Sequence, residues 1–190
     1  SRGRFRGRFC GDMGFRAQLA MVVVSGLLWP LCFPPFGIWP LVIVSLVLLF
    51  QAVEAAPPKR AFLLGLFQGI IGYGLTVHWL ARLFGASCFS LFSLIALFTG
   101  LFCALWRMSS NSIASPWKRI LWAAALWTAV EFYRAELFAL HFPWATPGVA
   151  LGPTVLSPWI GVYGTSFLIA AGAAASLRRR TLSLGLFLSL

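Results

Sequence analysis

The stretch RILWAAALWTAVEFYRAELFALHFPWATPG, Arg119–Gly148, decides how this chain is read. It leaves the basic pair Lys118-Arg119 and runs uncharged from Ile120 to Val130. It then sets Glu131, Arg134 and Glu136 in or beside Trp, Ala, Leu and Val, and breaks at Pro143 and Pro147 around Trp144. In water these charges would be a solvated helix face. Inside a bilayer an ionisable side chain is costly and marks a pairing or functional role. The solvent therefore has to be settled first.

Of the 190 residues, 60% are hydrophobic and 10% charged. A soluble domain has roughly 45–50% apolar and about 25% charged residues, so this chain lacks the polar residues to coat a water-facing surface. The net charge of +11 raises nucleic acid as a partner. The placement of the charges argues otherwise. Arg2, Arg4, Arg6, Arg8 and Arg16, then Lys59-Arg60, then Arg107, Lys118 and Arg119, then Arg178-Arg179-Arg180 hold all the basic residues except Arg82 and Arg134. Long apolar runs separate these clusters. That is the pattern of cytoplasmic loops under the positive-inside rule, not of a groove tracking phosphates.

A spanning helix needs about 20 mainly apolar residues. The runs 17–33, 38–56, 61–84, 87–106, 119–140 and 154–177 are the candidates. The first ends at Pro34-Pro35 and the second at Pro57-Pro58, where proline cannot continue a helix. The N-terminal arginines and first run resemble a signal peptide, but Cys32-Phe33-Pro34-Pro35 is a poor cleavage site and further spans follow. Gly65 and Gly69 form a GxxxG that admits a close neighbouring helix. With the N-terminus in the cytoplasm, every basic cluster falls on one side. The predicted fold is an all-α polytopic membrane helix bundle with six complete transmembrane helices and the start of a seventh after a turn at Arg178–Arg180. A basic cytoplasmic segment, 1–16, precedes the bundle, 17–190. The chain starts at Ser1 and stops ten residues into the seventh run, so it reads as a fragment.

Cys10, Cys32, Cys88 and Cys103 form no CxxC pair and have no histidine at metal spacing. They read as small apolar filler, and no metal or cofactor is expected. Glu54 near the inner end of its helix and Arg82 near the outer end of its own can both reach water. Glu131 and Arg134, three residues apart, share a helix face and can pair. They are either an ion pair tying that helix to its neighbours or a polar spot ready for a lipid headgroup. Glu136 touches the interface. Phe142-Pro143-Trp144 falls at the outer membrane–water boundary, a depth tryptophan favours. It is an aromatic belt or, with prolines fixing the backbone, one wall of a lipid entrance. His141 reads as an interfacial polar residue.

FPPFGIWP (33–40), GYGLTVHWL (72–80), ALWTAVEFYR (125–134), FPW (142–144) and SPWIGVYGTSFL (157–168), in this order, resemble apolipoprotein N-acyltransferases. Each motif alone is weak; five in order are specific. The resemblance implies a bacterial inner-membrane enzyme whose membrane part is joined to a periplasmic nitrilase-like domain with a Glu-Lys-Cys triad. That family moves an acyl chain from a phospholipid to the cysteine, then to the α-amino group of a diacylglyceryl-lipoprotein. By the same resemblance Trp144 lies on the lipid path, with Phe142, Pro143 and Trp79 beside it, and Glu131 and Arg134 match the family's E-x-x-R pair. His141 stands where the family usually has Gly before FPW, and Ala135-Glu136 where Gly-Trp commonly follows the Arg; both departures lie beside the lipid entrance that the resemblance implies.

A thiol nucleophile needs a base or a lowered pKa. Both lysines, Lys59 and Lys118, fall in predicted cytoplasmic loops, while Cys32 and Cys88 lie nearest the outer face. These residues are therefore expected to hold substrate-handling parts, with the catalytic domain beyond Leu190. Alternatives are a non-catalytic orphan module that binds lipid or a partner enzyme, a small transporter, for which no internal repeat is evident, and a plain membrane anchor.

Overall fold

The computed structural model describes residues 14–54 and 56–187, with side chains through residue 177. The arginines from Arg2 to Arg8, Cys10 and the side chains of Arg178–Arg180 lie outside that set. Every regular element among the described residues is helical: α1 Phe15–Leu28, α2 Pro40–Glu54, α3 Pro58–Thr76, the short α4 Ala81–Phe84, α5 Cys88–Ser110, α6 Pro116–Phe132, the short α7 Pro147–Leu151, and α8 Ser157–Phe187. The chain is an all-α, polytopic membrane bundle. Three stretches are long and apolar enough on their own to cross a bilayer: Phe15–Cys32, His78–Ser110 and Ser157–Leu177. The runs expected as spans fall on α1, α2, α3, α5, α6 and α8, of which α1, α5 and α8 lie in those three stretches.

Proline opens helices here as well as ending them. Pro40 begins α2, and Pro58, Pro116 and Pro147 stand in the first turns of α3, α6 and α7. The first helical N–H has no partner in any case, and proline's φ is already helical. This corrects the expected starts at 61 and 119: Lys59, Arg60 and Lys118 are first-turn residues, not loop. A cation there opposes the helix dipole by about 0.3–1 kcal/mol, so these charges are not placed for helix stability. A second correction concerns the C-terminal end. The backbone of α8 stays helical through Arg178–Arg180 to Phe187, without the expected turn. Its one break is Gly161, at φ 64°.

In lipid, burying apolar side chains against each other gives little, because acyl tails solvate them equally well; close packing and hydrogen bonds hold the helices. The bundle uses both. A Cβ on Gly65 would lie 2.6 Å from Cys103 Sγ and 2.7 Å from the Thr99 carbonyl, and one on Gly69 would lie 2.8 Å from Ala96 Cα. The GxxxG of α3 thus seats α5. Ser25 of α1 and Ser45 of α2 donate to each other's carbonyls at 2.8 and 2.9 Å, fully buried. Between the helices Trp29, Phe50, Phe102, Trp106 and Trp127 form one aromatic core.

The basic clusters of α3, α5 and α6 share one end of the bundle. There Arg119 pairs with Glu54 and lies over Trp106, and Arg107 Nε donates to the Ala56 carbonyl at 2.9 Å. Glu54 is therefore the partner of a named arginine, not simply a carboxylate reaching water. Trp144 lies at the opposite end, beyond the last turn of α6.

Candidate functional site

Beyond Phe132 the α6 helix widens into a π-turn, Tyr133–Leu137, closed by Phe138 N–H donating to the Tyr133 carbonyl at 2.8 Å. Such widenings are frequent at functional sites. The chain then reverses through residues 138–146 into α7. Two non-glycine residues flank the Phe142-Pro143-Trp144 turn at positive φ, His141 at 42° and Ala145 at 58°. A left-handed residue with a Cβ costs roughly 1–2 kcal/mol. The position of His141 is one whose backbone glycine adopts freely.

The turn is anchored on one side and presented on the other. Ala145, Thr146, Pro147 and Gly148 are buried, whereas Pro143 and Trp144 are exposed, Trp144 at 58%. Phe142 packs both against a small cluster of Val77, Leu80, Cys88 and Phe92 and against the main core. The Trp144 ring lies 6.2 Å from that of Trp79, tilted by 58°. Trp79 belongs to the short helical turn His78–Leu80 that follows α3. The structure thus brings Trp79, Phe142, Pro143 and Trp144 to one surface.

Glu131 and Arg134 do not reach that surface. They are 5% and 3% exposed. The expected contact between them is also absent, since no ion pair within 4.0 Å joins them among the described residues. Each has other partners. Glu131 accepts from Trp127 Nε1, one turn back, at 3.0 Å and from Ser166 Oγ of α8 at 2.7 Å. The Arg134 guanidinium lies 5.2 Å from the Tyr73 ring centre and donates to the Trp144 carbonyl at 3.3 Å. Ser166 Oγ in turn accepts the Gly148 N–H at 2.9 Å. Arg134 thus bonds the backbone of the Trp144 turn directly, and Glu131 reaches that segment at Gly148 through Ser166. Beneath it a cavity of about 20 Å³ is lined by Tyr73, Thr99, Trp127, Glu131, Arg134 and Pro147, among others. That is room for one water, beside an Arg134 Nη1 with no protein partner.

Glu136 is exposed and accepts a hydrogen bond from the Tyr163 hydroxyl. Arg82 and His141 are exposed too. Cys32, Cys88 and Cys103 are buried free thiols. Among the described residues no three His, Cys, Asp or Glu side chains are grouped to hold a metal ion. The reading of the sequence missed Ser166, Gly148 and Tyr73. Ser166 had one visible signal, a hydroxyl inside an apolar run.

The fold and the site define a class: a polytopic helical membrane domain that presents an amphipathic aromatic turn at one end of the bundle. A family model, the apolipoprotein N-acyltransferase N-terminal domain, matches residues 25–175. The chain belongs to that family. It is similar to proteins named apolipoprotein N-acyltransferase from Pseudomonas aeruginosa, at 33% identity over 81% of this chain and 33% of that protein. The relative from Azotobacter vinelandii is 32% identical, with 81% of this chain and 32% of that protein covered. For Methylococcus capsulatus the identity is 32%, over 84% and 34%. The chain spans about a third of the length of these relatives.

Proposed function

We propose that this chain is the lipid-handling membrane part of an N-acyltransferase that moves an acyl chain from a phospholipid to the N-terminal diacylglyceryl-cysteine of bacterial lipoproteins. Trp144, Phe142, Pro143 and Trp79 form its lipid-contacting surface, and Glu131 and Arg134 act from beneath by holding the turn. The observation that carries the reading is the exposed Trp79–Trp144 pair on a buried, hydrogen-bonded base, in a chain of this family. An indole is apolar with one polar N–H and suits the headgroup depth. The protein sits in the inner membrane with its N-terminus in the cytoplasm. The first-turn cations of α3 and α6 support that orientation, because they cost helix stability and gain only from sidedness. The reaction itself belongs to a periplasmic nitrilase-like domain with a Glu-Lys-Cys triad, which would lie in the part of the relatives' length this chain does not span.

The test is complementation of a strain depleted of its N-acyltransferase. Three versions are compared: the full-length gene, the same gene with Trp144→Ala, and residues 1–190 alone. Rescue by the full-length gene only, with Trp144→Ala protein accumulating normally, supports the reading. If nothing rescues although all versions accumulate, the chain is instead a non-catalytic module that binds lipid or a partner enzyme.

A further inference from the structure

Three hydroxyls along the interior of α8, those of Thr165, Ser166 and Ser176, do not behave alike. Thr165 Oγ1 and Ser176 Oγ each donate to the carbonyl four residues back, Gly161 and Gly172, at 2.9 Å. That is the default for a hydroxyl in an apolar helix, since it needs no partner from elsewhere. Ser166, fully buried between them, forgoes it. Its Oγ donates to Glu131 Oε1 on α6 and accepts the N–H of Gly148 on α7.

Each of those bonds has a reason. Gly148 lies in the first turn of α7, where backbone N–H groups lack helical partners. The residue placed to cap it, Thr146, makes no side-chain cap, and its Oγ1 is buried without a partner. Ser166 supplies the missing acceptor from a different helix. The fit is close: a Cβ on Gly148 would run into the Val162 carbonyl and lie 3.0 Å from Ser166 Oγ. At its other end the bond is fixed, because Glu131 is also held by Trp127 within α6. A continuous path of hydrogen bonds thus runs from Trp127 through Glu131 and Ser166 to Gly148, four residues after Trp144. Arg134 holds the Trp144 carbonyl from the other side.

We infer that Ser166 is a positioning residue for lipid substrate, which sets the height and angle of the Trp144 turn through Gly148 without touching the lipid. The inference rests on the reading of Trp144 as a lipid contact. A residue that only supports the fold would change the amount of active protein and so kcat. One that aims the lipid-contacting turn changes the apparent KM for the lipid.

The test is steady-state acyl transfer by the full-length protein from phosphatidylethanolamine in mixed micelles to a diacylglyceryl-cysteine peptide. Ser166→Ala, Ser166→Cys and Trp144→Ala are compared with the parent. Ser166→Cys keeps the side-chain shape with a slightly larger γ atom and loses the strong hydrogen bonds, so it carries the test should Ser166→Ala fail to accumulate. The expected result is a rise of about tenfold in apparent KM for the lipid in both Ser166 variants, kcat within about twofold, and no further rise when Ser166→Cys is added to Trp144→Ala. If Ser166→Cys keeps the parental KM while Trp144→Ala raises it, the positioning role is overturned and the Trp144 reading stands. If Trp144→Ala leaves KM unchanged, the Trp144 reading itself has failed and takes this inference with it.

Discussion

The guanidinium of Arg134 donates to the backbone carbonyl of Trp144, ten residues further on, at 3.3 Å, while its Cζ lies over the ring of Tyr73 in α3, 5.2 Å from the ring centre. One buried cation thereby joins α3, the end of α6 and the exposed turn. The charge is spent on architecture at a depth where an unpartnered ion would be prohibitive. Arginine suits this because a planar, weakly hydrated guanidinium can stack and donate at once, which an ammonium cannot. Arg134→Lys is therefore expected not to restore what Arg134→Ala loses. Both should lower stability by about 1–3 kcal/mol, the cost of leaving buried polar groups unsatisfied, measured by thermal unfolding in detergent. Wild-type stability in Arg134→Lys would show the stacking to be dispensable.

Trp79 and Trp144 form a tilted ring pair on a largely exposed surface. Aromatic pairs of this kind are worth about 0.5–1.5 kcal/mol beyond area burial. A double-mutant cycle with Trp79→Ala and Trp144→Ala should return a coupling in that range. Additive effects would mean that the rings do not support each other.

The contact of Gly69 with Ala96 involves backbone, so a larger side chain cannot be accommodated by a rotamer change. Gly69→Leu must push α3 from α5 and should cost at least the roughly 1–3 kcal/mol of an overpacked core. Its measure is the accumulated folded protein and its melting temperature beside Gly74→Leu, where the nearest atom, Phe92 Cδ2, lies at 3.8 Å. Equal behaviour of the two variants would refute the close-packing account.

His141 is exposed and held at φ 42°. His141→Gly removes the left-handed penalty of roughly 1–2 kcal/mol and gives back about 0.4–1 kcal/mol of unfolded-chain entropy. The net expectation is a gain of about 0.5–1 kcal/mol, visible as a higher melting temperature. A loss of stability would mean that the imidazole makes a contribution larger than its backbone strain.

Glu54 and Arg119 pair at the basic end with side chains 30% and 34% exposed. Solvent screening limits such a pair to roughly 0–1 kcal/mol. Glu54→Gln should destabilise by no more than that, and the difference from the parent should shrink between low and high salt. A salt-independent loss of several kcal/mol would instead mark Glu54 as a buried structural charge.

The membrane class and the clustering of basic residues were legible because they are written in residue type and run length, and the bilayer selects on those quantities directly. Gly65-x-x-x-Gly69 announced a close helix contact, though not that α5 would be its partner. Pro57-Pro58 reads in the sequence as a stop, whereas Pro58 opens α3; a stop proline and a first-turn proline have the same local sequence appearance. Trp144 and its prolines stood out as a turn at the end of a helix, and the family resemblance pointed to them; the structure has that turn, with Trp144 exposed. The pairing of Glu131 with Arg134 was the natural reading of a three-residue spacing, and it is the one the folded chain does not use.

By itself, then, the sequence determined that this protein lives in lipid as a bundle of helices and that its unusual chemistry gathers between Glu131 and Gly148, because hydropathy and charge cost act residue by residue. Only the tertiary structure decided what Glu131 and Arg134 hold. Their partners, Ser166 and Tyr73, arrive from α8 and α3, 35 residues after Glu131 in one case, and a buried charge is satisfied by whatever group packing brings within hydrogen-bond or stacking distance, not by its neighbour along the chain.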